Sequence, residues 1–459
     1  MRMTVAEVAR VVGGMVEGHA AAHLLGAEVD SRRLEDGDLF VALPGARHDG
    51  HEFVGAALET ATAALVRRDA DLGSLPAERA LVRVDDPLSA YHDLARHERR
   101  ERGWRVAAVT GSVGKTTTKN FIAALLAPHH RVGASEGNRN STLGLPAEIL
   151  SQDPETEVFV AEAGMSSPGE LAMLGEILRP QVLLYTCIAP VHTEFFPDLA
   201  GIVRAKAELL PWLDDDGTLV INADDPNQED YPDETSARVI RYGYEAPEAR
   251  IEGLEDLGLL GSRFQLVLPD DQARVELSLP GRHQAENLLA AAAAASAFGV
   301  GAGQVAATAP ELMAPEHRGR VLAIGDDISL VDDSYNASPL AVRRLLELLA
   351  RAPGRRVAVL GEMYELGDLA ADAHLRAGQE AATACDLLIA MGGADAGRIA
   401  AGAREAGLDS DCVHQAEDAE RAADLLRRLL HPGDVVLVKG SRGVGLDRTV
   451  VALAGEEAA

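Results

Sequence analysis

Lys115 stands between a glycine and three threonines, an order of residue types that suits a phosphate site. Residues 105–118 read Arg-Val-Ala-Ala-Val-Thr-Gly-Ser-Val-Gly-Lys-Thr-Thr-Thr, and residues 119–126 carry a helical apolar period. A strand, a tight loop of small residues and a helix point backbone N–H groups and a helix N-terminus at an anion. In that geometry Lys115 would reach the β- and γ-phosphates of a nucleotide and the Thr116 hydroxyl would sit on Mg²⁺. The cradle is expected to comprise Thr110, Gly111, Ser112, Val113, Gly114, Lys115, Thr116 and Thr117. The eight-residue pattern of kinases and GTPases wants a glycine where Val109 stands, so those enzymes fit imperfectly.

Other residues lie where an open α/β sheet collects ligand groups, at the carboxyl ends of strand-like runs. Glu162 closes the apolar run 158–161, and is either a Mg²⁺ ligand or an exposed strand-end charge. His192 follows the run 182–188 at the same edge, which favours a ligand role. Lys206 sits among alanines on a helical segment and could simply snorkel to water. Asp332 ends the run 328–331, placed for a ribose hydroxyl or for capping a turn. Asp30-Ser31-Arg32-Arg33 either holds a nucleotide diphosphate or is an ordinary polar turn. His48, His51 and Asp49 read as a surface loop. The glycine-rich stretch 440–445 lacks a lysine at phosphate-loop spacing, so it carries no second nucleotide.

The elements that must position these groups fall into three units. Residues 1–103 alternate short helices and strands in a small α/β domain. Residues 104–313 form a central P-loop domain around a parallel sheet. Their later part holds a hairpin over 263–268 and 274–279, then a turn opening an alanine-rich helix. Residues 314–459 repeat strand and helix over 328–332, 356–360, 386–391 and 434–438, the βαβ signature of a Rossmann-like sheet. The fold class is therefore α/β, in three domains.

Composition narrows the function further. The 459 residues carry 43 Lys and Arg against 72 Asp and Glu, a net charge of −29. Nucleic-acid binding needs a basic face, so it is not expected. An anionic substrate then requires cations gathered locally. The longest apolar run, 288–295, is far short of the roughly 20 residues that span a bilayer. The N-terminus has no apolar signal segment, so a cytoplasmic location is expected. Cys187, Cys385 and Cys412 show no metal or disulfide spacing and read as reduced thiols.

Taken together, these stretches resemble the Mur ligase family of peptidoglycan synthesis. The phosphate loop and Gly281-Arg282-His283-Gln284-Ala285-Glu286-Asn287 are motifs of the whole family, which shares its ATP loop with folylpolyglutamate synthases. The stretches Asp332-Asp333-Ser334-Tyr335-Asn336-Ala337-Ser338-Pro339 and Lys439-Gly440-Ser441-Arg442 resemble the MurF branch. That branch joins D-alanyl-D-alanine to UDP-N-acetylmuramoyl-tripeptide. The resemblance implies ATP and Mg²⁺ as cofactors, with Thr116, Glu162, His192 and Lys206 as metal ligands, Lys206 in carbamylated form. It implies that Asn287 contacts adenine and Asp332 the ribose. Asn138, Asn140 and Arg320 would line the active cleft, with Arg318 the other candidate for the arginine position. Ser31 and Arg32 would hold the uridine nucleotide. The protein implied is a monomeric enzyme acting on small molecules. Departures are Ala163, Gln284 and Ser338 in place of Leu, Asn and Asn, and a missing proline before Gly319. The alternatives are a sister ligase that adds a single amino acid, a non-catalytic ATP-binding module, and a small-molecule kinase.

Overall fold

The structure is a computed structural model. It describes residues 1–455 except 46, 47, 74, 75, 77, 192 and 326. Three main sheets organise the chain. The first runs in the order Met15–Gly18, Ala80–Val84, Ala63–Arg67, Asp38–Val41, Gly26–Glu28, parallel except for its first pair. His51, weighed above beside Asp49, proves to be structural. Its Nδ1 lies 2.6 Å from Asp49 and its Nε2 accepts the Arg67 N–H at 2.9 Å.

The second sheet has nine strands, and its chain order reverses at Arg105–Thr110. That strand lies between Val158–Glu162 and Val182–Tyr185, parallel to both. Their runs of Val, Leu and Ala are buried on both faces, as parallel strands covered by helices must be. Carboxyl ends converging at a reversal of strand order form the crevice where α/β sheets bind ligands. The expected hairpin is present as Ser262–Val267 paired antiparallel with Gln272–Leu277. It extends a sheet whose strands Arg238–Gly243 and Ala249–Asp256 are hard to see in sequence, being short or charged on alternate residues.

Two helices lie side by side on this sheet. Lys115–Leu126 buries Phe121, Ile122, Leu125 and Leu126. Arg282–Ser296 buries an unbroken row of alanines, Ala290 to Ala295, each at most 1 % exposed. Side chains this small let the second helix approach both the sheet and the first helix closely. That brings its N-terminal turn to the phosphate loop.

The third sheet runs Arg320–Ile324, Ile328–Asp333, Val435–Lys439, Arg356–Gly361, Leu387–Met391, Val413–Ala416, parallel except for the first pair. The three units join differently. One apolar cluster passes unbroken from the first into the second, through Leu24, Ala27, Tyr91 and Leu94 to Leu145, Ile149 and Leu174. Among the described residues, only Leu259 of the central unit packs against the cores of the third. The ties there are polar: Arg344 to Glu286 at 2.9 Å, Arg351 to Asp256 at 2.7 Å, and Thr193 Oγ1 donating to Leu366 O at 2.8 Å. The three cysteines are unpaired thiols.

Candidate active site

The phosphate loop owes its shape to two glycines. Gly111 has φ 142°, and a Cβ there would lie 1.9 Å from the Thr186 hydroxyl. Gly114 has φ 89°, caps the helix Lys115–Leu126, and would press a Cβ to 2.6 Å from Asn287 Oδ1. Only glycine tolerates that conformation and that proximity together. Ser112 is fixed against the next strand, its Oγ donating to Ala189 O at 2.9 Å. Thr110 is fully buried beneath the loop, and its carbonyl accepts the Thr186 N–H at 2.9 Å.

Above the loop the charged groups converge. Lys115 Nζ donates to Gly111 O at 2.9 Å, and Lys206 Nζ donates to the same oxygen, also at 2.9 Å. Burial disfavours both ammonium groups; at Lys115 the Glu162 charge offsets part of that cost, and at Lys206 the Lys115 charge adds to it. Lys206 is the extreme case. It is 2 % exposed, with its pKa driven well below the ordinary lysine value by burial first and Lys115 second. Glu162 is also 2 % exposed. Its Oε2 accepts from Thr116 Oγ1 at 2.6 Å and its Oε1 from Asn140 Nδ2 at 2.6 Å. No ion pair to Glu162 is formed among the described residues; its two partners are a hydroxyl and an amide. A buried carboxylate beside a threonine hydroxyl, with no cation side chain bound to it among the described residues, matches the oxygen set that Mg²⁺ takes.

Lys115, Thr116, Asn140 and Glu162 open into a cleft of about 550 Å³ between the second and third units, whereas Lys206 lies behind the loop and does not line it. Ser112, Val113, Gly114, Lys115, Thr116 and Thr117 line it, with Asn138, Asn140 and Glu162 beside them. Helix Arg282–Ser296 contributes His283 and Asn287, one turn apart on one face. Burial lowers the His283 pKa to about 4, so its ring is neutral near pH 7. The third unit supplies Arg318, Asp333, Tyr335, Asn336, Lys439 and Arg442.

Two expectations need correction. Arg320 does not line the cleft; Arg318 does. Arg320 is the first residue of a strand and sits opposite Asp332 in the ladder. Arg318 precedes it in a turn with φ 57° at His317 and 86° at Gly319, and lays its guanidinium 4.0 Å from the centre of the Tyr335 ring. Asp332 does not line the cleft either. It is fully buried, with Oδ1 taken by the Ser334 N–H and hydroxyl and Oδ2 by His317 Nδ1. Successive strand residues face opposite ways, so its neighbour Asp333 faces the cleft and pairs with Lys439 at 2.9 Å.

Of the remaining residues, His192 lies outside the described residues. Ser31 and Arg32 lie on the first unit, away from this cleft, where Arg32 pairs with Asp30 at 2.7 Å. Sequence reasoning gave no role to Tyr335, Lys439 or Arg442, although it quoted the stretches that hold them. The signal was present as two cations after a buried strand, in a chain short of cations. Arg442 stacks on Tyr335 as well, 4.9 Å from the ring centre.

Comparison with known proteins accords with this geometry. The Mur ligase middle domain model matches residues 109–295, and the Mur ligase, glutamate ligase domain model matches residues 317–442. A Bacillus subtilis UDP-N-acetylmuramoyl-tripeptide–D-alanyl-D-alanine ligase is 31 % identical, with 98 % of each chain covered. The chain belongs to the Mur ligase family. Among solved Mur ligases, a crystal structure of MurF from Acinetobacter baumannii superposes with a TM-score of 0.89, at 27 % identity over 99 % of both chains. MurF from Thermotoga maritima in complex with ADP gives a TM-score of 0.79, at 29 % identity over 94 % of this chain and 97 % of that one. Among the described residues, no helix is long and apolar enough to cross a membrane.

Proposed function

We propose that this Mur ligase is an ATP-dependent amide ligase that joins D-alanyl-D-alanine to UDP-N-acetylmuramoyl-tripeptide, releasing ADP and phosphate. One observation carries the reading. A single cleft gathers Lys115, Thr116 and Glu162 from the phosphate-loop unit, and Arg318, Lys439 and Arg442 from the unit facing it. Full-length likeness to a ligase of that name supports the choice of substrates.

A peptide carboxylate does not react with an amine at neutral pH, because oxide is a poor leaving group and the anion repels nucleophiles. Its oxygen instead attacks the γ-phosphorus of ATP, ADP departs, and an acyl phosphate remains. The dipeptide amine adds to that carbonyl, loses its proton, and the C–O bond to phosphate breaks to leave the amide. Such transfer is catalysed by positioning and charge neutralisation, and needs no nucleophilic side chain. Lys115 and the loop amides would hold the β- and γ-phosphates, with Asn287 and Asp333 toward the nucleoside. Thr116 and Glu162 would hold Mg²⁺, with His192 as a further ligand. The ion's contribution is to screen the charge on the transferring phosphoryl oxygens. Arg318 and Arg442, free of carboxylate ion pairs among the described residues, would draw anionic substrate groups toward the phosphate end. Ser31 and Arg32 would hold the uridine nucleotide on the first unit. Such chemistry suits the cytoplasm, where ATP is available.

Lys206 is proposed to be carbamylated. Burial, with the Lys115 charge beside it, lowers the Lys206 pKa and so favours the neutral amine, the form that adds CO₂; the carbamate would set an anion beside the Lys115 ammonium. With ¹³C-bicarbonate, wild-type protein is expected to show a carbamate carbon resonance that Lys206→Gln lacks. The same resonance in the variant would overturn the assignment.

The decisive assay supplies ATP and UDP-N-acetylmuramoyl-tripeptide with a panel of amines and identifies products by mass. Amide and stoichiometric ADP are expected with D-alanyl-D-alanine and not with D-alanine, D-glutamate or lysine. An amide with a single amino acid would mark a sister ligase. Phosphorylated product without amide would mark a kinase.

A further inference from the structure

Arg139 is a cation set between two buried carboxylates that come from different units. Its Nη2 lies 2.7 Å from Glu28 Oε2 and its Nε lies 3.1 Å from Glu148 Oε1. Glu28 is 6 % exposed and Glu148 5 %. The other oxygen of Glu28 accepts the N–H groups of Val29 and Asp30, at 2.8 and 3.1 Å, and so shapes the turn that carries Ser31 and Arg32. The other oxygen of Glu148 accepts the Glu136 N–H at 2.8 Å.

Residues 136–143 are thus fastened at the start by Glu148 and in the middle by Arg139. Their far end is held by the first unit's long helix, Pro87–Arg102. From it His92 Nε2 meets Thr142 O at 2.7 Å and Tyr91 OH donates to Leu143 O at 3.2 Å. What this fastened loop delivers is Asn140, whose side chain donates to Glu162 and whose carbonyl accepts the Gly164 N–H at 2.8 Å. Glu162 in turn holds Thr116.

Buried ion triads add little net stability, since desolvation offsets attraction and apolar side chains of similar size pack as well. A guanidinium gripped on two edges by carboxylates does fix direction, because its fork is planar and rigid. We propose that Arg139 is a positioning residue. By tying the loop to Glu28 and Glu148 it sets the aim of Asn140 at Glu162, and so links the register of the first unit to the phosphate site. The kinetic part of this inference rests on the amide-ligase reading; the binding part does not.

The test is a double-mutant cycle of Arg139→Met and Asn140→Ala, read by ligation kinetics and by calorimetric affinity for ADP with Mg²⁺. Arg139→Met alone is expected to lower kcat about tenfold to a hundredfold, as a displacement of about an ångström does. ADP affinity should weaken at least about threefold. In the Asn140→Ala background the same change should shift either quantity by less than about twofold, because two residues acting through one contact do not add. Additive effects, or unchanged kcat and affinity beside a lowered melting temperature, would mean the triad is only a fastening. Should Arg139→Met fail to fold, Glu28→Gln keeps the volume and loosens one arm. It is then expected to lower ADP affinity in the parent and not in Asn140→Ala, and equal losses in both would overturn the proposal. If the parent makes no amide, the affinity cycle still decides the role of Arg139.

Discussion

Lys115→Ala is expected to reduce kcat by at least about a thousandfold while leaving the fold intact. A loss of that size corresponds to about 4 kcal/mol of transition-state stabilisation. That is the scale of losing one preorganised charge aimed at a reacting oxygen in a dry site. Lys115 is the one cation on the phosphate loop itself, and its ammonium is already partly desolvated. Little of this reflects stability, because its hydrogen bonds go to carbonyls of its own loop. Removing it also relieves the repulsion on Lys206. The melting temperature should therefore hold or rise. Turnover within tenfold of the parent would remove Lys115 from the chemistry.

Glu162→Gln is expected to cost about a hundredfold to a thousandfold in kcat/KM and to raise the Mg²⁺ concentration needed for half-maximal rate. The substitution keeps shape and the capacity to bond Thr116 and Asn140, and deletes only charge. A hard divalent ion depends on that charge more than on any neutral oxygen. Stability should move the other way, because a buried carboxylate with no ion pair among the described residues is a cost to folding. Slower turnover with an unchanged or higher melting temperature would identify a group held in place for function. A lower melting temperature with unaltered Mg²⁺ dependence would make the carboxylate structural.

How far the sequence is legible follows from the range over which each feature is encoded. The phosphate loop is local: strand, glycines, lysine and helix are contiguous, and Gly111 and Gly114 stand where left-handed backbone is required. The hairpin and the βαβ alternation are local as well, hence readable. Choosing Asp333 over Asp332 depends on which way a strand faces, a parity that the run 328–333 does not show because its polar end lies beside the cleft. Choosing Arg318 over Arg320 depends on positive φ at His317 and Gly319, which the missing proline conceals. The Glu28–Arg139–Glu148 triad joins residues more than a hundred positions apart, at 111 between Arg139 and Glu28. Nothing in one sequence pairs them. His51 belongs to a stretch that reads as a surface loop, yet its ring is a buried staple for the Arg67 backbone, a contact 16 residues away.

The unbroken apolar cluster between the first two units has a mechanical consequence. Interfaces between domains are usually polar and yield to relative motion, whereas a shared hydrophobic core does not. Leu145 and Ile149 cannot part from Tyr91 and Leu94 without exposing that core to water. The polar ties of the third unit, such as Arg344 to Glu286 and Arg351 to Asp256, can instead be exchanged for water at small cost. Among the described residues, the seam that water can enter at least cost is therefore the one between the second and third units, while the first two units behave as one block.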